Sequence, residues 1–184
     1  MTTKETFDFQ DGNGPVPAHK HSNGGGWVAD TATVAETAYV GPDAWVSGSA
    51  LIYDRARVSV CAKVYGNARV YHDARVYGDA RVYDRAKVYS DAWVYGDALV
   101  SGRASVYGNS WVSGYARVYG DARVYGDARV YGNALVSGGA LVYGNAEVFD
   151  RALVSGRASV YGNAEVFGEA WVSGRARVEE GAVT

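Results

Sequence analysis

Residues able to do chemistry are sparse in this chain. There are three histidines in 184 residues. His19 and His21 lie one residue apart, just ahead of Ser22-Asn23-Gly24-Gly25-Gly26. On an extended segment two such side chains point the same way and could hold one metal ion, or could simply cap a glycine-rich bend. His72 occupies a turn position directly before Asp73, so a general base steered by a carboxylate is one reading and a plain turn substitution the other. Cys61 has no His or Lys motif beside it to lower its pKa, which points to an inert thiol. Arg85, Arg103, Arg157 and Arg175 recur at matching positions and could receive a small anionic, nucleotide-like ligand, or pair with nearby aspartates. No strand-GxGxxG or Walker-type run occurs, and no cofactor is expected.

What must position these residues is a repeat of six. From Val28 to Val178 every sixth residue is Val, apart from Ile52. Two residues ahead of each next aliphatic, from Ala32 to Ala182, sits Ala, with Ser110 the one exception. In a unit such as Ala122-Arg123-Val124-Tyr125-Gly126-Asp127, alternation puts Ala and Val on one side and Arg and Tyr on the other. Gly-Asp and Gly-Asn are turn chemistry, because Gly accepts positive φ and Asn/Asp bond to nearby backbone. An antiparallel meander of such units would leave its thin Ala/Val face uncovered. A three-sided solenoid of 18 residues per coil, with coils about 4.8 Å apart, buries it.

Stacking every eighteenth residue separates three faces. One carries Tyr53, Tyr71, Tyr89, Tyr107, Tyr125, Tyr143 and Tyr161, an expected aromatic ladder that is either structural or a binding surface. A second combines Tyr77, Tyr95, Tyr131, Phe149 and Phe167 with Trp93, Trp111, Glu147 and Glu165. The third sets Trp45, Leu99, Leu135, Leu153 and Trp171 beside small serines, a low apolar stripe of the kind that marks protein–protein contact.

Lys+Arg number 18 against 20 Asp+Glu, interspersed along the chain, which predicts a mutually compensating surface and neither a nucleic-acid groove nor a membrane patch. The single cysteine and the lack of a signal-like or bilayer-length apolar run predict a soluble cytoplasmic protein. Residues 1–26 are not repetitive; Phe7 and Phe9 alternate like a short strand, so a cap segment is expected there and the solenoid over 27–184. The other end offers only Glu179, Glu180 and Ala-Val-Thr against edge-to-edge stacking, leaving head-to-tail polymerisation open.

From Val28 to Thr184 these units resemble the hexapeptide-repeat superfamily. The resemblance implies an all-β, single-stranded left-handed parallel β-helix of nearly nine coils, commonly a homotrimer. Such proteins include acyltransferases with a histidine base, for which His72 is the candidate here. They also include carbonic anhydrases whose zinc is held by three histidines in the repeat body, a set this chain does not match. They include non-enzymatic assemblies as well. The chain carries no inserted loop or added helix for substrate, and tyrosine follows the inward Val more often than in acyltransferase repeats. The leading expectation is therefore a non-enzymatic, rod-like scaffold that partners itself, about 40 Å long by coil spacing. An acyltransferase-like enzyme and a small-anion binder at an intersubunit groove are the alternatives.

Overall fold

A computed structural model describes residues 5–184, all β and without a helix. The first four residues of the expected cap lie outside the described residues. Strand β3 (Trp27–Ala29) opens the repetitive body. From β4 (Thr33–Val34) to Arg177–Val178, two-residue strands recur at six-residue steps, each ending on an inward Val, or on Ile52. Between strands of the body all pairing is parallel and joins residues one coil apart, as Arg69 with Lys87 and Val70 with Val88. Three sheets result, one per wall: the solenoid of 18-residue coils that the period predicts.

The leucine face runs from Trp27–Val28 to Trp171–Val172, the ladder face from Thr33–Val34 to Arg177–Val178, and the mixed face from Tyr39–Val40 to Ala182–Val183. Inside, the Val and Ala columns form one continuous core whose members from Ala50 to Val166 are inaccessible to solvent. A large and a very small side chain alternate because a narrow triangular section has room for Val on its walls and only Ala at its corners. Each buried Val is worth roughly 1.5–3 kcal/mol in transfer terms. Ser110, the one polar residue in the Ala column, donates its hydroxyl to the Tyr107 carbonyl at 2.9 Å, so it is buried without an unmet bond.

Corners turn through one residue of positive φ, usually Gly. At Gly102 (φ 65) a Cβ would also come within 2.9 Å of the Gly120 nitrogen on the next coil, so both conformation and stacking demand glycine. Where aspartate replaces it, at Asp54, Asp84 and Asp150, Oδ2 accepts the amide N–H one coil on: His72, Gly102 and Gly168 respectively. That bond offsets part of the strain.

Two expectations are revised at the ends. Beyond Phe7, the cap is a hairpin: β1 (Thr6–Phe7) pairs antiparallel with β2 (Val16–Lys20), which pairs antiparallel with β3. Two prolines in 15–17 hid β2 from a propensity reading. At the other end the six-residue register slips. Glu165 pairs with Ala182 and Val166 with Val183, so Ala182 takes an outward slot and Val183 the inward one. The corner at Glu179-Glu180-Gly181, with Gly181 at φ 83, is one residue short.

Candidate functional site

The tyrosine ladder is present as expected. Tyr53, Tyr71, Tyr89, Tyr107, Tyr125, Tyr143 and Tyr161 stack in one pile, successive centroids 4.8 to 5.0 Å apart and planes within 7°. Coil spacing alone imposes this geometry: identical side chains on parallel in-register strands must superpose. Burial, and then the neighbouring phenols, raise the pKa of Tyr71, Tyr89 and Tyr125 above the ordinary tyrosine value. On the mixed face Tyr131 is pushed up to about 12, first by burial and then by donating its hydroxyl to Glu147 Oε2 at 2.9 Å.

The mixed face holds an arrangement that the sequence reading only half anticipated. Trp93 and Trp111 stack at 5.6 Å, the Arg75 guanidinium lies 4.9 Å from the Trp93 ring and that of Arg129 5.1 Å from Trp111. Arg129 also reaches Glu147 Oε1 at 3.1 Å. The column order Arg75-Trp93-Trp111-Arg129-Glu147 is legible at 18-residue spacing once the two arginines are set beside the rings.

His72 and Asp73 do not form a base–carboxylate pair. Asp73 Oδ2 accepts from Arg55 at 2.8 Å, while the His72 ring packs edge-on to Tyr71 at 4.9 Å. The carboxylate near His72 is Asp54, 3.8 Å from Nε2. His72 itself sits at φ 59, in the corner slot that Gly normally fills. His19 and His21 diverge to separate partners. His19 Nδ1 meets Asp30 Oδ1 at 3.1 Å, whereas buried His21 donates Nε2–H to the Ala38 carbonyl at 3.0 Å. Asn23 Nδ2 donates to the same carbonyl at 2.9 Å, so the loop after β2 caps the open edge of the first coil. Cys61 is exposed and unpaired, beside Val60 in a left-handed corner.

Arg85 and Arg103, and three coils on Arg157 and Arg175, occupy one corner column with Asp121 and Gly139 between the pairs, and among the described residues none of the four arginines makes an ion pair. Asp84 shares that corner but bonds the Gly102 amide. Compensation is local: Arg55 pairs with Asp73, Arg129 with Glu147 and Arg151 with Glu169, each one coil apart. Charges interspersed along the chain are sorted by the 18-residue period. Arg69, Lys87 and Arg123 of the ladder face adjoin the arginine corner, which also holds Asp84 and Asp121; Lys63, Arg81 and Arg117 stand on the far side of the leucine face, and Asp54, Asp73, Asp91 and Asp127 share the corner past the tyrosines with Arg55.

On the leucine face, Leu99, Leu135 and Leu153 are half-buried and Trp171 is 70% exposed. Arg117 separates Leu99 from Leu135 in register. Tyr83, Tyr119, Ser101, Arg117 and these two leucines line a shallow groove of about 310 Å³. Trp45 sits apart from them: Phe9 and Phe7 of the hairpin pack on it at 5.5 and 6.5 Å, and Lys63 lies 4.3 Å above its ring. The hairpin thus covers the lower end of the stripe.

A family model for the YdcK beta solenoid repeat matches residues 62–78, 74–96, 116–129 and 128–144. In those stretches the chain is similar to that repeat. No curated protein matches the chain. The matched stretches carry the inward Val and Ala columns and, of the tyrosine ladder, Tyr71, Tyr89, Tyr125 and Tyr143. With the parallel register they make this a β-solenoid repeat protein. Among the described residues no helix is long and apolar enough to cross a membrane.

Proposed function

We propose that this chain is a left-handed, hexapeptide-type rod that acts as a non-enzymatic cytoplasmic scaffold, assembled as a homotrimer through the leucine face. One observation carries the reading. Leu135, Leu153 and Trp171 stand outward in adjacent coils next to a lane of serines, with no acidic residue in either outward column of that face. Low relief and continuous apolar area suit a matching surface. Arg117 is compatible with burial of its stem, its head reaching the rim. Because the hairpin occupies Trp45, the contact runs from Leu99 to Trp171. The exposed single thiol of Cys61 suits a reducing compartment. Light scattering at micromolar concentration tests the assembly: three copies are expected, and the Leu135→Asp/Leu153→Asp variant is expected to be monomeric yet folded. A monomeric unmodified protein would overturn the reading.

A second reading, a small anionic ligand at the arginine corner, is favoured by the unpaired Arg103 and Arg157. Nucleotides or inorganic phosphate should then raise the melting temperature, and Arg103→Gln/Arg157→Gln should abolish the shift. An acyltransferase with His72 as base gains no support from the geometry, since Asp73 is held by Arg55.

A further inference from the structure

The ladder face carries a second column beside its rings. Arg69, Lys87 and Arg123 stand two residues before Tyr71, Tyr89 and Tyr125, on the same outward side, about 7 Å away along the strand. All three are exposed, and none makes an ion pair among the described residues. Arg69 and Lys87 border a shallow notch of about 280 Å³ that Arg85 closes from the corner. From Thr33 to Arg177 no outward residue of this face is acidic. A row of carboxylates, Asp54, Asp73, Asp91 and Asp127, lies past the rings at the far corner, while Asp84 and Asp121 stand at the near corner before Lys87 and Arg123. Cations, phenols and an acidic margin therefore run side by side along the rod.

The phenols narrow the choice of ligand. Each ring is covered by its neighbours at 4.8 to 5.0 Å, leaving no gap for a planar base to enter. Nucleic-acid platforms need open aromatic faces for stacking, so this one is closed to bases. What the pile offers is its edge. The hydroxyls of Tyr71, Tyr89, Tyr107 and Tyr125 bond to no protein group among the described residues, whereas Tyr161 donates to Glu179. They form a row of donors and acceptors at one per coil. A fitting ligand repeats at the coil spacing, with an anion on one edge and hydroxyls on the other.

We infer that the ladder face binds a linear acidic polysaccharide. Carboxylates of alternate units, which an extended chain turns to the same edge, lie on Lys87 and Arg123, two coils apart with Ser105 between them; Arg69 extends the cationic edge by one coil, and sugar hydroxyls lie on the phenol column. The coil spacing is close to the length of one sugar in an extended chain, so register persists over several units. The acidic corner beyond the rings repels carboxylates and so fixes which edge of the polymer faces the cations. The inference deepens the anion reading by naming a polymer, and it uses cations outside the arginine corner so that the two can fail separately.

The test is calorimetric titration of the intact protein with alginate oligomers of graded length, monomeric uronate, esterified alginate and single-stranded DNA. Affinity is expected to rise with each added unit up to about the number of cationic coils, and to fall at least tenfold with esterified alginate. Arg69→Gln/Lys87→Gln/Arg123→Gln should weaken binding at least tenfold. Tyr89→Phe/Tyr107→Phe, which keeps the stack and removes only hydroxyls, should weaken it several-fold. Arg103→Gln/Arg157→Gln should leave at least half of the affinity. Four outcomes overturn the inference: no alginate binding at low salt, equal binding of DNA, no gain of the polymer over monomeric uronate, or an effect of the triple variant on subunit number alone.

Discussion

Trp93 and Trp111, one coil apart on the mixed face, stack at 5.6 Å with an angle of 16° between their planes. Their outer faces are closed by Arg75 below and Arg129 above, so four side chains from consecutive coils form one pile. Each contact in it is modest, but all four residues are held by the same rigid ladder and lose little further entropy on meeting.

The pile makes a measurable prediction. Removing both tryptophans should cost less than the sum of the single removals, with a coupling of about 1 kcal/mol in a Trp93→Ala/Trp111→Ala cycle. Urea denaturation of the four proteins reads it directly. Additive losses would show that the rings are merely adjacent. Trp93 is half-buried and Trp111 is 37% exposed, so Trp93→Ala should be the costlier single change.

Alkali should act through the tyrosines. Tyr131 titrates near 12 in the folded chain against about 10 when unfolded, because burial and its bond to Glu147 disfavour the phenolate. A folded pKa raised above the unfolded one means that the native state holds its proton longer. The resulting stability is complete below pH 10 and is lost as pH rises from there through 12. Tyr71, Tyr89 and Tyr125 are shifted in the same direction, and each phenolate in the pile would repel the next. Ultraviolet absorbance titration should show ionisation trailing model tyrosine, with unfolding in the same range. Tyr131→Phe should blunt the alkaline loss. A titration matching free tyrosine would refute the account.

The stacking was legible before any coordinates because a period of six, tripled, leaves little freedom. Once Val28 and its successors must all point inward, the residue following each is placed outward, and tyrosines at 18-residue spacing have to superpose. The His72–Asp73 pairing was not legible, since sequence adjacency at a corner says nothing about the coil below. Asp73 turned to Arg55, exactly one coil away in sequence, because axial neighbours are nearer than chain neighbours whose side chains diverge. The ion pairs Arg129–Glu147 and Arg151–Glu169 follow the same axial rule, each joining residues 18 apart. The terminal slip at Ala182 had a visible signal in Glu179-Glu180-Gly181, where Gly comes one place later than in the repeat.

Val60 is the corner most at odds with its residue type. It has φ 58, a left-handed value that costs a β-branched residue about 1–2 kcal/mol, and its side chain is exposed and gains little from packing. Val60→Gly should therefore stabilise the chain by about 1 kcal/mol, after the entropy that Gly loses on folding. A thermal melt decides the sign. An unchanged or lower melting temperature would mean that the corner relaxes in solution.

The cap yields the last prediction. Ala38 belongs to the first coil, where no preceding strand meets the edge of the mixed face, and its carbonyl accepts from both His21 Nε2 and Asn23 Nδ2. The Gly26 amide donates to the Val40 carbonyl at 3.0 Å, so three groups of one loop cover the same edge. Either side chain alone still satisfies the Ala38 oxygen. Single changes, His21→Ala or Asn23→Ala, should each cost about 1 kcal/mol, while the double variant leaves a part-buried acceptor unmet and should cost about 1–3 kcal/mol beyond the sum of the two. Hydrogen exchange locates the effect: the Gly26 and Val40 amides should lose protection, and amides above the third coil should keep theirs, because each coil leans only on its neighbours. Loss of protection spreading evenly to Val166 would show that the cap holds the whole rod in register.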